Sequence, residues 1–320
     1  MKLSRIASNL LSFALAATVA LAASAQNNTI KIITPFTAGT GYDTIARAVG
    51  TRLSEKLGTP VIVQNMPGAS GNIGTEAAAK SPADGNTILM GGNTMLIAQQ
   101  LYKNVPFHPL RDFSPVTLAA TGTLMLVAHP KVGVKSVQEL IKLSQSRPGS
   151  VSFGSPGVGT PHHMAMELFK LETKTFMLHV PYRGTAGYTQ DLLAGELMTG
   201  FLPVHVAQGF VKTGRLVALA VGSTQRHPVS PDVPTFAELG YKNIDVDLWY
   251  AFFVPAKTPK AIVDKLNTEM GRILVMPDVR AKLLELGFEP APWSPDKTRR
   301  FMKDQLAHTQ KLIDAGRVKL

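Results

Sequence analysis

Cysteine is absent from this chain of 320 residues. Its absence excludes disulfide bridges, thiolate metal sites and cysteine nucleophiles, and it leaves no residue for the lipid attachment of a bacterial lipoprotein. Signatures of nucleotide binding and hydrolysis are missing as well. No Gly-Lys-Ser or Gly-Lys-Thr of a P-loop occurs, and no Gly-x-Ser-x-Gly elbow is present. Gly39-x-Gly41 is followed by Thr44, where the dinucleotide fingerprint requires a third glycine or an alanine.

Clusters of basic residues are also rare, although the chain is basic overall. It has 33 Lys and Arg against 22 Asp and Glu, a formal net charge of +11. The basic residues are scattered, and Arg299-Arg300 is the only adjacent pair. A nucleic-acid-binding surface gathers such residues in one patch or along one helix. We therefore expect no nucleic-acid partner, and a solvated surface that mildly attracts anionic ligands.

The first 25 residues have the three parts of a secretory signal peptide. Two basic residues precede an uncharged, largely apolar run from 6 to 22, and Ala23-Ser24-Ala25 fits a small-x-small cleavage site. The strongly apolar part of this run, 10–22, is shorter than the about 20 residues that span a membrane. We expect export, cleavage near Ala25 and a free periplasmic protein, for which ATP, NAD and chromosomal DNA are poor candidate ligands.

Short β-branched or apolar runs alternate with helical patterns through the rest of the chain. Ile45, Val49, Leu53 and Leu57 recur every four residues, which predicts one face of a helix that Gly58 ends. The alternation predicts an α/β fold with largely parallel sheets. No linker rich in Gly, Ser or Pro divides the chain, a pattern that a two-lobed protein with more than one crossover would show. The predicted strands are 30–35, 61–65, 87–91, 124–129, 151–154, 177–181, 197–202, 216–221 and 249–254.

Four glycine-rich turns follow predicted strands, at 35–43, 67–74, 154–160 and 181–187. Glycine lets the backbone turn sharply and lets a ligand approach closely. A helix that starts there presents unpaired N–H groups and the positive end of its dipole, which together make an anion site without a charged side chain. One such turn is an ordinary connection in an α/β protein. Four in one exported chain predict a cleft that binds a carboxylate or a phosphate.

No catalytic or metal-binding set stands out in the sequence. His163 and Glu167 share a helix face at i, i+4, but the segment lacks His-Glu-x-x-His and no obvious third ligand is present. Hydrogen bonding at the helix start is the preferred interpretation of His162 and His163, and His163 could also donate to a bound carboxylate. Asp43 fits a helix N-cap or loop organiser better than a general base. We expect no enzyme activity, no metal and no cofactor.

Taken in order, these segments resemble the Bug (TctC) family, periplasmic solute-binding proteins associated with tripartite tricarboxylate transporters. The resemblance covers nearly the whole mature chain, and the ordered set makes it specific although each segment alone is weak. The matching segments are Pro35-Phe36 with the loop to Asp43, 53–61, 67–74, 82–85, 101–102, 112–116, the glycine loop to Thr160 with His163, 179–184 and 231–235.

The resemblance implies a two-lobed Venus-flytrap fold. One lobe would hold about 26–126 and 250–320, the other about 127–249, with a monomer as the expected state. A carboxylate would be pinched by the first glycine loop and the 182–186 turn, partly through water, and closure would signal loading to membrane permease subunits. The residues that we expect at the ligand are Phe36, Ala38, Gly39, Thr40, Gly41, Tyr42, Asp43, Ser70, Gly71, Asn72, Asn93, Ser155, Val158, Thr160, His163, Tyr182, Gly184, Thr185, Ala186 and Leu202.

Three departures from the family pattern replace polar or small residues with apolar or bulky ones. In the family the first loop often reads Gly-Gly-x-x-Asp. This chain reads Gly39-Thr40-Gly41-Tyr42-Asp43, which introduces the bulky Tyr42. Many relatives have Phe-Asp-Asn where this chain has Phe201-Leu202-Pro203, and Val158 stands where Asn is common. An unpaired ammonium buried near Leu202 would be costly. We therefore expect a carboxylate with a less polar body, an aromatic ring being one candidate, and an amino acid is disfavoured.

Two other functions stay open at this point. An exported receptor of the same class could serve a sensor instead of a permease, which the neighbouring genes would decide. An exported α/β hydrolase or isomerase would turn over its ligand and would hold a nucleophile and a base within hydrogen-bond reach. The sequence offers no such pair.

Overall fold

The computed structural model describes residues 29–244 and 247–314, in which helices and strands alternate. The strands are β1 (Ile30–Thr34), β2 (Val61–Asn65), β3 (Thr87–Gly92), β4 (Phe113–Ala128), β5 (Ser152–Ser155), β6 (Leu178–Pro181), β7 (Thr199–Pro203), β8 (Val217–Val221), β9 (Asp247–Pro255) and β10 (Glu289–Pro290). The helices are α1 (Gly41–Leu57), α2 (Asn72–Ala79), α3 (Asn93–Leu101), α4 (Val137–Ser146), α5 (Pro161–Thr173), α6 (Thr185–Ala194), α7 (Val204–Lys212), α8 (Lys260–Leu274), α9 (Pro277–Glu285) and α10 (Pro295–Asp314).

The strands form two sheets that share β4. Across both, the order is β2-β1-β3-β9-β4-β7-β5-β6, and β10 and β8 also pair with β4. Residues 113–123 of β4 pair with β9, whereas 124–128 pair with β7 and β8. Parallel strands lie at both ends, β2-β1-β3 in the first sheet and β7-β5-β6 in the second. The fold is therefore α/β and two-lobed, as expected, with antiparallel pairing where β4 joins the sheets.

All nine predicted strands are present. The extent of β4 was underestimated most, β9 also runs further at both ends than the predicted 249–254, and the two-residue β10 was not predicted. Strand β4 begins at Phe113, not at residue 124. Pro115 lies in this missed part, and the register with β9 shifts there twice. A proline and two irregularities break the alternation that identifies a strand in sequence. Most residues of β4 are also buried on both faces, so no polar face marks its period.

The local sequence determines the buried face and both ends of helix α1, whose first turn lies at the site. Ile45, Val49 and Leu53 are fully buried, as the four-residue spacing predicts. Thr40 caps the N-terminus, and Gly58 ends the helix in the left-handed conformation at φ 61°. The first turn of α1 is therefore fixed at the end of the loop that follows β1.

No helix within residues 29–244 and 247–314 is both long and apolar enough to cross a membrane. The predicted signal peptide lies outside the described residues. The ends of the parallel strands, with the helices that follow them, position the candidate site.

Candidate functional site

A small cavity lies where the two sheets face each other through their loops, with about 20 Å³ of space for the centre of a water molecule. This is room for roughly one water molecule, so a larger ligand requires the cavity walls to move apart. No charged side chain lines it among the residues that the structure describes. The residues that line it are Phe36, Thr40, Gly41, Tyr42, Thr94, Pro156, Thr160, Pro161, His162, Thr185, Pro203, Leu248 and Tyr250.

Five helix N-termini reach this cavity, two from the first sheet and three from the second. They are the starts of α1, α3, α5, α6 and α7. Only α1 has a side-chain cap, in which Thr40 accepts from the N–H of Asp43; the other four have none. Helix starts leave N–H groups without intrahelical partners and carry partial positive charge. The cavity can therefore accept an anion without a basic side chain.

Asp43 organises the first glycine loop and does not line the cavity. It accepts hydrogen bonds from the Gly39 N–H at 3.1 Å, from Arg47 at 3.0 Å and from Asn65 at 3.0 Å. Burial alone would raise the pKa of Asp43, but these hydrogen bonds outweigh burial and hold that pKa below its usual value. The carboxylate is thus ionised and fully engaged, which suits a loop organiser and not a base.

The two neighbouring histidines of α5 have different environments. The sequence prediction placed His163 at the ligand, yet its Nδ1 accepts from the Gly159 N–H at 3.2 Å and its ring stacks on His179 with centroids 4.3 Å apart. His163 does not line the cavity. Burial, with a smaller contribution from Lys170, lowers the pKa of His163 to about 4. Its neutral ring holds the turn before α5.

His162 lines the cavity instead, and the sequence prediction missed it. It is 8% exposed, and neither ring nitrogen has a hydrogen-bond partner in the described part of the chain. Burial, with a smaller contribution from His205, lowers the pKa of His162 to about 3. The one signal available in sequence was its place directly after Pro161, in the first turn of a helix that follows a glycine-rich loop.

Three aromatic rings of the first lobe form one wall. The rings of Phe36 and Tyr42 are 4.8 Å apart, and Tyr42 meets Tyr250 edge to face at 5.0 Å. The Tyr42 hydroxyl lies 3.3 Å from that of Thr94. Burial raises the pKa of Tyr42 to about 12 against the opposing effect of Thr94, so the phenol is neutral. From the other lobe come three prolines, Pro156, Pro161 and Pro203.

Six residues of the predicted set line the cavity: Phe36, Thr40, Gly41, Tyr42, Thr160 and Thr185. Several others do not, because their side chains are used elsewhere. Asn93 ties α3 to β9, donating to the Asp247 carbonyl and accepting from the Trp249 N–H. Ser155 bonds within its own turn and to His179.

Leu202 and Tyr182 also lie away from the cavity wall. Leu202 is fully buried in the apolar core of the second sheet, and the next residue, Pro203, lines the cavity in its place. Tyr182 donates its hydroxyl hydrogen bond to Asp191. The remaining members of the predicted set also do not line the cavity; they are Ala38, Gly39, Ser70, Gly71, Asn72, Val158, Gly184 and Ala186, of which Asn72 begins α2 and Ala186 lies in the first turn of α6.

Loops of the two lobes touch each other beside the cavity. The Val158 carbonyl accepts from Ser70 Oγ and from the Tyr102 hydroxyl, each at 2.8 Å. A Cβ on Gly157 would lie 2.5 Å from Ser70 Oγ, and one on Gly184 would lie 2.8 Å from Thr37 Oγ1. Both glycines also have φ near +150°. Ser70 and Val158 thus meet each other across the cleft, which is closed.

The cavity wall offers binding groups and, among the described residues, no pair of nucleophile and base. The Ser155 hydroxyl and His179 Nε2 lie 2.7 Å apart, but Ser155 is fully buried and neither residue lines the cavity. Among the described residues, no group of three His, Cys, Asp or Glu side chains could hold a metal ion. The cavity wall holds hydroxyls, a neutral imidazole and helix starts, without a carboxylate to act as a base.

Comparison with known proteins agrees with this geometry. The chain is 36% identical to the UPF0065 protein in the tcbD-tcbE intergenic region of Pseudomonas sp. (strain P51), over 88% of this chain and 84% of that protein. It is 35% identical to protein BugT of Bordetella pertussis, over 87% of this chain and 86% of that protein.

Two solved structures have the same fold and hold carboxylates. Rpa4515 of R. palustris with adipate superposes with a TM-score of 0.87 at 31% identity, over 90% of this chain and 97% of that one. MatC from Rhodopseudomonas palustris with bound malate superposes with a TM-score of 0.85 at 27% identity, over 89% and 98%. The model of the tripartite tricarboxylate transporter family receptor, TctC, matches residues 45–317. The chain therefore belongs to the TctC family, whose members are periplasmic solute-binding receptors and not enzymes.

Proposed function

We propose that this protein captures a small organic carboxylate between its lobes and delivers it to the permease of a tripartite tricarboxylate transporter. The convergence of five helix N-termini on one cavity, which no charged side chain lines among the described residues, carries the proposal. Such a site compensates one anionic group through N–H donors and helix dipoles. The relatives with adipate and with malate support a carboxylate over a phosphate.

The carboxylate sits, in this proposal, where the first glycine loop meets the start of α6. The Thr37 hydroxyl is buried beside Gly184, the residue that precedes α6, without a hydrogen-bond partner in the described residues. Thr37 is not part of the cavity wall, but it directly follows Phe36, which is. A buried hydroxyl without a partner costs free energy unless a ligand or water pairs with it. A carboxylate oxygen at this point would accept from the hydroxyl and from the N–H groups of α6.

The body of the ligand is weakly polar, and we favour an aromatic ring. Phe36, Tyr42 and Tyr250 supply ring faces and edges, and the other lobe supplies prolines. An amino acid is disfavoured because no carboxylate on the cavity wall could pair with its ammonium group.

The strand pairing supports the lobe boundaries proposed from the sequence to within about three residues, since 124–126 pair with the second sheet and 247–249 with the first. One lobe would hold 26–126 and 250–320, and the other 127–249. Two strands support this division: β4 changes partners between Thr123 and Leu124, and Thr123 pairs with Asp247 at the start of β9. We place the hinge at these two points, Thr123–Leu124 in β4 and Asp247 at the start of β9. Export with cleavage near Ala25 and a monomeric state complete the proposal.

Native mass spectrometry of the protein purified without refolding tests the ligand class directly. We expect a retained small carboxylate, and calorimetry with the identified compound should reproduce the binding. Preferential stabilisation by aspartate or glutamate in a thermal-shift screen would contradict the proposal. Uptake assays with and without the permease genes separate delivery to a transporter from service to a sensor, and unchanged uptake would favour the sensor.

Replacing Tyr102 with Phe should weaken ligand binding, because it removes a contact that stabilises the closed form relative to the open form. The substitution removes one of the two donors to the Val158 carbonyl across the cleft. One hydrogen bond contributes about 1 kcal/mol, so we expect an about fivefold loss of affinity by calorimetry. Tyr241→Phe, which leaves this contact intact, is the control. Equal affinity of the Tyr102 variant and wild type would show that the contact does not contribute to closure.

A further inference from the structure

We propose that His162 binds a neutral hydrogen-bonding group on the ligand, such as a ring hydroxyl, so that the preferred ligand is a monocarboxylate carrying one such group. This inference rests on the proposed function and deepens it. It assigns a role in ligand selection to a residue that the sequence prediction did not include.

The position of His162 carries the first step. It lies in the first turn of α5, it lines the cavity, and more than nine-tenths of its surface is buried. Its ring meets Tyr188 edge to face, with centroids 6.1 Å apart, which holds the imidazole in place. Both nitrogens nevertheless lack partners in the described part of the chain. Since buried polar atoms are almost always paired, a molecule in the cavity is the natural partner.

The surroundings of His162 decide the charge of that partner. Among the described residues no acidic side chain lines the cavity to stabilise an imidazolium, and the nearby His205 disfavours one. Burial keeps the pKa of His162 far below neutrality, as already described. A neutral imidazole offers one N–H donor and one acceptor nitrogen. A hydroxyl matches both functions because it also donates and accepts.

A second carboxylate fits this end of the cavity poorly. The start of α5 would compensate only part of a second negative charge, no basic side chain lines the cavity among the described residues, and pairing with His162 would require a proton to be taken up on binding. An ammonium group would lack an anionic partner. A purely apolar end would leave both imidazole nitrogens unpaired. The neutral polar group is the choice that satisfies the imidazole without burying a second charge.

Calorimetry with a matched set of aromatic acids tests the inference. Benzoate, the three hydroxybenzoates and terephthalate share one ring and one carboxylate and differ in the second group. We expect at least one hydroxybenzoate to bind wild type about tenfold more tightly than benzoate, and terephthalate to bind more weakly than that hydroxybenzoate. Titration in two buffers of different ionisation enthalpy should show no proton uptake with the hydroxybenzoate.

Two substitutions assign the preference to the imidazole. In His162→Leu the preference for the hydroxybenzoate over benzoate should fall to near one, whereas His162→Gln, which keeps a donor and an acceptor, should retain part of it. Unfolding midpoints of both variants establish that they are folded. Equal or tighter binding of terephthalate, or an unchanged preference in folded His162→Leu, overturns the inference and leaves the proposed function standing. If none of the tested carboxylates binds to the wild-type protein, both this inference and the proposed function are overturned.

Discussion

Thr185→Asp is expected to abolish carboxylate binding while the protein stays folded. Thr185 is the first residue of α6, is 6% exposed and lines the cavity. An aspartate there would face the bound carboxylate with no basic side chain between them. Two unit charges 4 Å apart repel by about 4 kcal/mol at an effective dielectric of 20, which corresponds to a loss of more than a hundredfold in affinity.

The start of α6 should offset part of the cost of burying this charge, because a negative charge in the first turn of a helix is stabilised by about 0.3–1 kcal/mol, and the unfolding midpoint of the variant establishes that it is folded. Thr185→Asn is the matched control, since it has nearly the same shape as the aspartate without its charge. Calorimetry should show that the asparagine variant keeps most of the affinity. If the aspartate variant bound the ligand within tenfold of wild type, the carboxylate would not lie at the start of α6.

Gly74→Ala is expected to destabilise the protein strongly. Gly74 lies in α2, where the helix packs against the end of β1, and an added Cβ would lie 2.8 Å from the Met66 carbonyl and 2.9 Å from Pro35 Cα. Both are backbone atoms, so the helix or the strand end must move. Overpacking of this kind costs about 1–3 kcal/mol, and we expect the upper part of that range in urea unfolding.

Gly209→Ala is the control for the effect of alanine in a helix. Gly209 lies in α7, is exposed, and has no atom within 4 Å of an added Cβ. Here the substitution should stabilise the protein by about 0.4–1 kcal/mol.

The Gly74 variant should also bind ligand less tightly, because Pro35 directly precedes Phe36 on the cavity wall. A Gly74 variant as stable as wild type would mean that α2 can shift away from β1 without cost.

The sequence predicted the elements well where the pattern was local. The spacing of Ile45, Val49 and Leu53 identified a buried helix face, and Gly58 its end. The first half of β4 was missed because Pro115 and two register shifts hide its period, and its pairing with β9 comes from residues far away in the chain. A strand whose partners are distant leaves a weak local signal.

Six of the residues that the sequence placed at the ligand line the cavity, and the others do not. The glycine-rich turns marked three of the helix starts that reach the cavity, α1, α5 and α6. The starts of α3 and α7 were not recognised. For Leu202 the neighbouring residue faces the cavity instead, and Ser70 and Val158 bond to each other. A motif fixes the turn but not the direction of each side chain.

By itself, the sequence determined which local structures form, that four turns present helix starts, and which family the ordered motifs indicate. Only the tertiary structure decided which groups meet in the cavity. His162 and His163 are adjacent, yet successive residues of a helix point about 100° apart, so one lines the cavity and the other packs against His179. That difference depends on how α5 is rotated against the sheet and the opposite lobe. Packing across the whole chain sets this rotation, and no local pattern contains it.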